Sequence, residues 1–283
     1  MTLRRFFRVR NLAVVLVLLG GGCVSTAQLL FTPWKETTIP GAVHDRVPFK
    51  DGTLNVFRAG APEGQRVIFV HGTPGGAADW EDLLTQPAAG LEYLAYDRPG
   101  FGHTQPTRAV PALADQAAAL EPLLVEGNGQ WPILVGHSLG GPIVCQAAAD
   151  FPGKVGGLVI VAGSLDPAHE KVYFIQRLGN TLALRWLVPR VLRNANSELL
   201  PLKQELEALA PRLKSIACPV VIVHGTKDVL VPFENVAFMQ TRFAPNALRQ
   251  VKVLEGENHF LPWTNPTAIR EAIQAILVEP EKP

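Results

Sequence analysis

Short runs of apolar, mostly β-branched residues alternate with stretches of helical periodicity from about residue 60 to the C-terminus, and this alternation limits the possible folds most. The runs are Val67 to Val70, Tyr93 to Tyr96, Ile133 to Val135, Leu158 to Val161, Val220 to Val223 and Val251 to Leu254. Strands with no polar residue in alternate positions have no solvent-facing side, so they predict a parallel sheet covered by helices on both faces. The helical patterns lie at Pro111 to Val125, Leu139 to Asp150, Phe233 to Phe243 and Pro266 to Val278. Upstream, Val43 to Phe49 and Thr53 to Arg58 flank Lys50-Asp51-Gly52, a hairpin signal. The sum is an open α/β sheet. Between Gly163 and Pro219 the rhythm breaks. No strand signal occurs there, and the pattern predicts helices over Glu170 to Val188 and Glu198 to Leu213. A structureless loop of that length is rare in a folded domain, so 164–218 is expected to be a helical cap inserted between two strands.

The strongest chemical motif is Gly136-His137-Ser138-Leu139-Gly140, set between the strand Ile133 to Val135 and a helix of small residues. In that setting G-x-S-x-G puts the serine on a sharp strand-to-helix turn with its oxygen exposed. A serine hydroxyl needs a base within hydrogen-bond reach, and the base needs an orienting acid. Asp228 follows the strand Val220 to Val223, and His259 follows Val251 to Leu254. Both therefore stand at carboxyl ends of strands, where ligands meet an open α/β sheet. Asp166, after Leu158 to Val161, is a rival acid, but its place before Pro167 favours a turn.

Acyl transfer builds negative charge on the carbonyl oxygen, which calls for two backbone donors. One is the amide of Leu139. The other is expected from His71-Gly72-Thr73-Pro74-Gly75-Gly76, with Thr73 as the donor because Pro74 has no N–H. His71 is expected to hold that loop by hydrogen bonds. Asp97-Arg98-Pro99-Gly100-Phe101-Gly102 is dense in turn residues and is read as a rigid loop.

The set HGTPGG, DRPGFG, GHSLGG, HGTKDVLVP and a late ENHF resembles the α/β-hydrolase superfamily, in particular its serine esterase and carbon–carbon hydrolase members with an inserted cap. The resemblance runs from about residue 45 to residue 279. It implies the α/β-hydrolase fold, a mostly parallel eight-stranded sheet flanked by helices, with residues 36–163 and 219–283 as core and 164–218 as cap. It also implies Ser138, Asp228 and His259 as a catalytic triad, and Thr73 and Leu139 as oxyanion donors. Haloalkane dehalogenases and most epoxide hydrolases of this fold have Asp where this chain has Ser138. Prolyl aminopeptidases usually have Trp in place of Leu139. Haloperoxidase-like members usually have an aromatic residue at the position of Thr73.

The expected activity is hydrolysis of a carboxylic ester of a small or medium apolar substrate, with no cofactor and no metal. Apolar residues of the insert, among them Tyr173, Phe174, Leu178, Leu182, Trp186 and Val188, favour an acyl or aryl group. Its basic residues, such as Lys171, Arg177, Arg190 and Arg193, are read as a solvated helix face. Two other readings stay open: cleavage of a carbon–carbon bond in ring-fission dicarbonyl products, and a non-catalytic protein on a hydrolase scaffold. A net charge of +1 gives no footprint for nucleic acid. Of the 3 cysteines, Cys145 falls among apolar residues of a predicted helix and Cys218 just before a strand, with no CxxC or His/Cys cluster. The oligomeric state is open.

Residues 1–35 read differently from the body. Arg4, Arg5, Arg8 and Arg10 precede the apolar run Leu12 to Leu19, and no acid occurs before Glu36. This is the pattern of a signal peptide or membrane anchor, and it predicts a protein exported to, or anchored in, the cell envelope. Cleavage near Ser25-Thr26-Ala27, lipidation of Cys23 in a lipoprotein, twin-arginine export and an uncleaved anchor are all open.

Overall fold

A computed structural model describes residues 37–50, 52–172, 176, 177, 181 and 188–278. The expectations for the N-terminal segment, Cys23 included, lie outside the described residues. So do those for Tyr173, Phe174, Leu178, Leu182 and Trp186, and most of the expected helix Glu170 to Val188. Among the described residues no helix is long and apolar enough to cross a membrane.

Eight strands form one sheet: β1 (Val43–Phe49), β2 (Gly52–Gly60), β3 (Gln65–Val70), β4 (Leu91–Asp97), β5 (Ile133–His137), β6 (Gly157–Val161), β7 (Val220–Gly225) and β8 (Leu248–Leu254). Their order is β1-β2-β4-β3-β5-β6-β7-β8. The hairpin β1–β2 and the β2–β4 pair are antiparallel, and every pairing from β4 to β8 is parallel. Every apolar run named above is a strand of this sheet. The helices are α1 (Glu81–Leu84), α2 (Leu113–Ala118), α3 (Gly140–Asp150), α4 (Arg190–Leu199), α5 (Leu202–Leu209), α6 (Glu234–Arg242), α7 (Leu261–Thr264) and α8 (Pro266–Leu277). This is the α/β-hydrolase fold.

Period-two alternation divides the core between the two faces of the sheet. Ile68, Val70, Leu134, Ile160 and Ile222 pack with α2, α3, α5 and α6. Val67, Phe69, Val135, Val159 and Val223 pack with Trp80, Leu83 and the apolar side of α8. All of these strand residues are fully buried, which accounts for the unbroken apolar runs.

Helix bounds depart from the periodicity where prolines fall. The pattern over Pro111 to Val125 is helical only at Leu113–Ala118, and a 3-10 turn at Glu121–Leu123 follows. Pro122 cannot donate to the carbonyl one turn back, so the α-helix stops short of it. In the insert, the expected helix Glu198 to Leu213 is three elements, broken at Pro201 and again near Pro211. Glu198 lies in the last turn of α4, which opens after Pro189; α5 spans Leu202–Leu209, and a 3-10 turn at Ala210–Ser215 follows. Leu202, Leu206, Leu209 and Leu213 are buried in the same cluster as Ile143 and Val144 of α3. The C-terminal part of the insert is therefore built into the core layer.

Candidate active site

Ser138 has φ +54°, in the left-handed region that non-glycine residues seldom occupy. Such a conformation costs of order 1–3 kcal/mol and persists where the surroundings over-determine it. Here β5 arrives on one side, with the Ser138 N–H donating to Val161 O (3.0 Å), and α3 departs on the other, with Gly141 N–H donating to Ser138 O (3.0 Å). The turn is tight enough that a Cβ on Gly136 would lie 2.3 Å from Gly140 O, and one on Gly140 would lie 2.2 Å from Val70 O. Ser138 is half-buried, whereas Leu139, at the N-cap of α3, is buried. The first amides of a helix have no partner within it, so the Leu139 end of α3 presents donors beside the serine.

Asp228 and His259 meet directly. The Asp228 carboxylate Oδ2 lies 2.7 Å from His259 Nδ1, and both side chains are buried. Its other oxygen accepts the backbone N–H groups of Leu230 (2.9 Å) and Val231 (2.8 Å). Burial pushes the Asp228 carboxyl up, but the His259 hydrogen bond and charge and the Val231 amide outweigh it, and the net shift is downward. The carboxylate therefore stays ionised, and with Nδ1 facing it, Nε2 is the ring nitrogen of His259 turned away from the carboxylate.

His137, the residue before the serine, links the two halves of the site. Its Nε2 lies 2.9 Å from the His259 carbonyl and donates to it, and its ring stacks at a tilt on the His259 ring with centroids 4.8 Å apart. Burial, and then the neighbouring His259, bring its pKa down to about 3, so it is a neutral donor. Asp228 and His259 are thus in contact. Ser138 stands one residue from His137, and among the described residues its hydroxyl has no hydrogen bond to the His259 ring. Catalytic hydrogen bonds of this kind are often long before substrate binds.

The loop after β3 lies against the serine. A Cβ on Gly72 would come within 2.9 Å of Ser138 Cβ, so only glycine permits this approach. Thr73 follows, with its hydroxyl buried and without a hydrogen-bond partner among the described residues. His71 is fully buried, and burial together with the Arg98 charge holds its pKa well below the usual histidine range. Arg98 N–H donates to His71 Nε2 (2.9 Å), so Nδ1 carries the proton and donates to Gly72 O (2.7 Å). His71 therefore holds the loop, as the sequence suggested.

The rival acid Asp166 is engaged elsewhere. Its Oδ2 lies 2.8 Å from His169 Nδ1, and its Oδ1 accepts Ala168 N–H (2.9 Å). Ser164 hydrogen bonds Glu170, whose carboxyl is pushed up mainly by burial. His224, buried beneath Asp228, donates to Val231 O (3.0 Å) and approaches Asp228 Oδ2 only to 3.6 Å. Burial lowers its pKa, so it too is neutral and does not compete with His259 for the carboxylate. Cys145 and Cys218 are free thiols whose pKa values are raised by burial. No group of three or more His, Cys, Asp or Glu among the described residues could hold a metal.

Sequence reasoning did not find His137 as the link to His259, or Arg98 with Glu198 as described below. The first has a signal in the motif, since it directly precedes the serine. The second has none, because its partners lie 100 residues apart.

Residues 67–272 match the model of the alpha/beta hydrolase family. A non-heme chloroperoxidase of Streptomyces lividans is 27% identical over 82% of this chain and 98% of its own length. Among solved structures, 2-hydroxy-6-oxo-6-phenylhexa-2,4-dienoate hydrolase from a Rhodococcus strain superposes with a TM-score of 0.66 at 16% identity, covering 83% of this chain and 98% of its own. A monoacylglycerol lipase of Paleococcus ferrophilus superposes with a TM-score of 0.63 at 20% identity, covering 79% and 98%. These structures share the fold, and the family match spans most of the core. The chain belongs to the alpha/beta hydrolase family.

Proposed function

We propose that this hydrolase cleaves a carboxylic ester of a small or medium apolar substrate through an acyl-enzyme, with Ser138, His259 and Asp228 as its triad. The observation that carries the reading is the buried 2.7 Å contact between Asp228 and His259, tied through His137 to the serine turn. In the first half-reaction Ser138 Oγ attacks the ester carbonyl carbon while His259 Nε2 takes its proton. The tetrahedral oxyanion is met by the amides of Thr73 and Leu139. Collapse breaks the bond to the alkoxy oxygen, which leaves as the alcohol with the proton from His259. Water then repeats the sequence on the acyl-serine and releases the acid. The apolar residues of the insert support an acyl or aryl group as the recognised part.

A fluorophosphonate probe is expected to label Ser138, and a panel of acyl and aryl esters is expected to be turned over. Ser138→Ala should lower kcat by a factor of about 10³ or more with folding intact. Turnover of dienone ring-fission products in preference to every ester would replace ester hydrolysis by carbon–carbon cleavage. A wild-type protein that neither labels nor turns over any panel member would leave a binding scaffold.

The proposal includes attachment to the cell envelope through residues 1–35, supported by the four arginines and the apolar run that follows them. Removal of residues 1–34 should give a fully active protein released from the membrane fraction. Cys23→Ala should abolish lipid labelling if anchoring is by lipidation. Full-length protein found entirely outside the membrane fraction, its N-terminus intact, would refute attachment.

A further inference from the structure

We infer that Arg98 is a positioning residue for the Thr73 amide, and that Glu198 of the insert holds Arg98 in that role. The inference rests on the reading of Thr73 as an oxyanion donor. A trans peptide is planar, and its C=O and N–H point in opposite directions. The Gly72 carbonyl and the Thr73 N–H belong to one such unit, so fixing the carbonyl aims the amide. The Gly72 carbonyl accepts two hydrogen bonds, from Arg98 Nη2 (2.9 Å) and His71 Nδ1 (2.7 Å). Arg98 also donates from Nε to the preceding carbonyl, His71 O (3.0 Å), so two successive carbonyls are held by one rigid guanidinium.

The remaining donors of Arg98 reach the insert. Nη1 and Nη2 meet the two carboxylate oxygens of Glu198 at 2.8 and 3.1 Å. Side-chain exposure is 0% for Arg98 and 2% for Glu198, so no solvent competes for these bonds. Gln116 Nε2 in turn donates to Glu198 Oε1 (2.9 Å), which keeps the carboxylate facing the arginine. A buried ion pair costs desolvation and by itself is weak evidence of stabilisation. What this pair supplies is direction: the planar fork fits a carboxylate on one side and the backbone of the oxyanion loop on the other. An apolar pair of similar volume would fill the space but could not aim the peptide.

The test uses the full chain, a chromogenic ester and an arylboronic acid, which forms a tetrahedral adduct on the nucleophilic serine. Arg98→Lys keeps the charge beside Glu198 but cannot reach both carbonyls and the carboxylate at once. The double variant Arg98→Met/Glu198→Leu removes both charges together, so no uncompensated ion is left in the core. Both are expected to fold and to melt cooperatively. Each should lose about tenfold or more in kcat with KM little changed, since loss of a whole oxyanion donor costs roughly 10²–10³. Affinity for the boronate should fall by the same factor as kcat/KM, a correlation that general loosening of the core would not produce. Variants within twofold of wild type on both measures, or losing kcat/KM without boronate affinity, would overturn the positioning role alone. A wild type with no Ser138-dependent ester turnover would overturn the underlying function and this inference together.

Discussion

Asp166 and Asp228 stand at equivalent places, each in a loop beyond a parallel strand and each bonded to a histidine at nearly the same distance, yet their pairs differ in kind. Asp166 pairs with His169 three residues on, and its second oxygen caps its own turn at Ala168. That arrangement closes a local bend, as an Asp before proline commonly does. Asp228 pairs with a residue 31 positions away, across the ends of β7 and β8. Its second oxygen is held by two amides, so the carboxylate cannot turn from His259. A long-range buried pair of this kind fixes a tautomer and an orientation. Asp228→Asn is therefore expected to lower kcat by about 10³–10⁴, through loss of the orienting charge. Asp166→Asn should leave kcat near wild type. Steady-state ester kinetics on both variants would check this, and a larger loss from Asp166→Asn would reassign the acid.

At the scale of elements, the inner strands β3 to β7 were legible because burial on both faces leaves no polar residue to break the apolar runs, whereas the edge strand β8 carries Lys252 within its run and is partly exposed. The turn at Ser138 was legible because its two flanking glycines are steric necessities. Gly140 shows this most clearly: the site of its missing Cβ is 2.2 Å from Val70 O and 3.1 Å from His71 O, both backbone atoms of the neighbouring strand end. Gly140→Ala must push α3 away from β3, and it is expected to cost roughly 1–3 kcal/mol, as overpacking generally does. A urea midpoint equal to wild type would show that the elbow is looser than these distances imply. Helix α4 was not legible, and the reason is physical. Arg190 to Leu199 does place Val191, Ala195 and Leu199 one turn apart, but its buried residues are Asn194, Ala195 and Glu198, so polar contacts share the inner face and blur the apolar signal. Asn194 Nδ2 donates to Gly100 O (2.7 Å) and Thr107 O (2.9 Å), and Glu198 meets Arg98. Hydrophobic periodicity finds elements held by apolar burial, and α4 is held by specific hydrogen bonds to a loop distant in sequence. The meeting of Asp228 and His259 was readable for the opposite reason, since the proposed chemistry restricts which residues can serve at those strand ends.

For the molecule as a whole, a site built from buried neutral imidazoles ties folding to pH. His71, His137 and His224 all have pKa values lowered chiefly by burial, that of His137 to about 3. In the unfolded chain each takes up a proton near pH 6.5. The native state binds that proton only at lower pH, so between these limits the unfolded state holds more protons and stability falls as pH falls. Each such histidine contributes a slope of about 1.4 kcal/mol per pH unit between ~6.5 and its own folded value. Asp228 acts in a lower window. Its folded pKa lies below its unfolded one, so its contribution is present above about 3.9 and is lost as pH falls through the folded value. The buried carboxyls of Asp79 and Glu170 act with the opposite sign: burial raises Asp79 to about 7 and raises Glu170 as well, so the native state takes up these protons before the unfolded chain does and offsets part of the histidine slope. Chemical-denaturation midpoints should therefore decline from about pH 6.5 to 4 with the slope that the three histidines leave in excess of these carboxyls. His137→Gln keeps a side-chain donor for the His259 carbonyl but has no proton to gain. It should flatten the decline by close to one proton, even where it lowers stability at pH 7. A decline equally steep in wild type and in His137→Gln would mean that His137 takes up its proton in the native state as readily as in the unfolded chain, so that its burial would not hold it neutral.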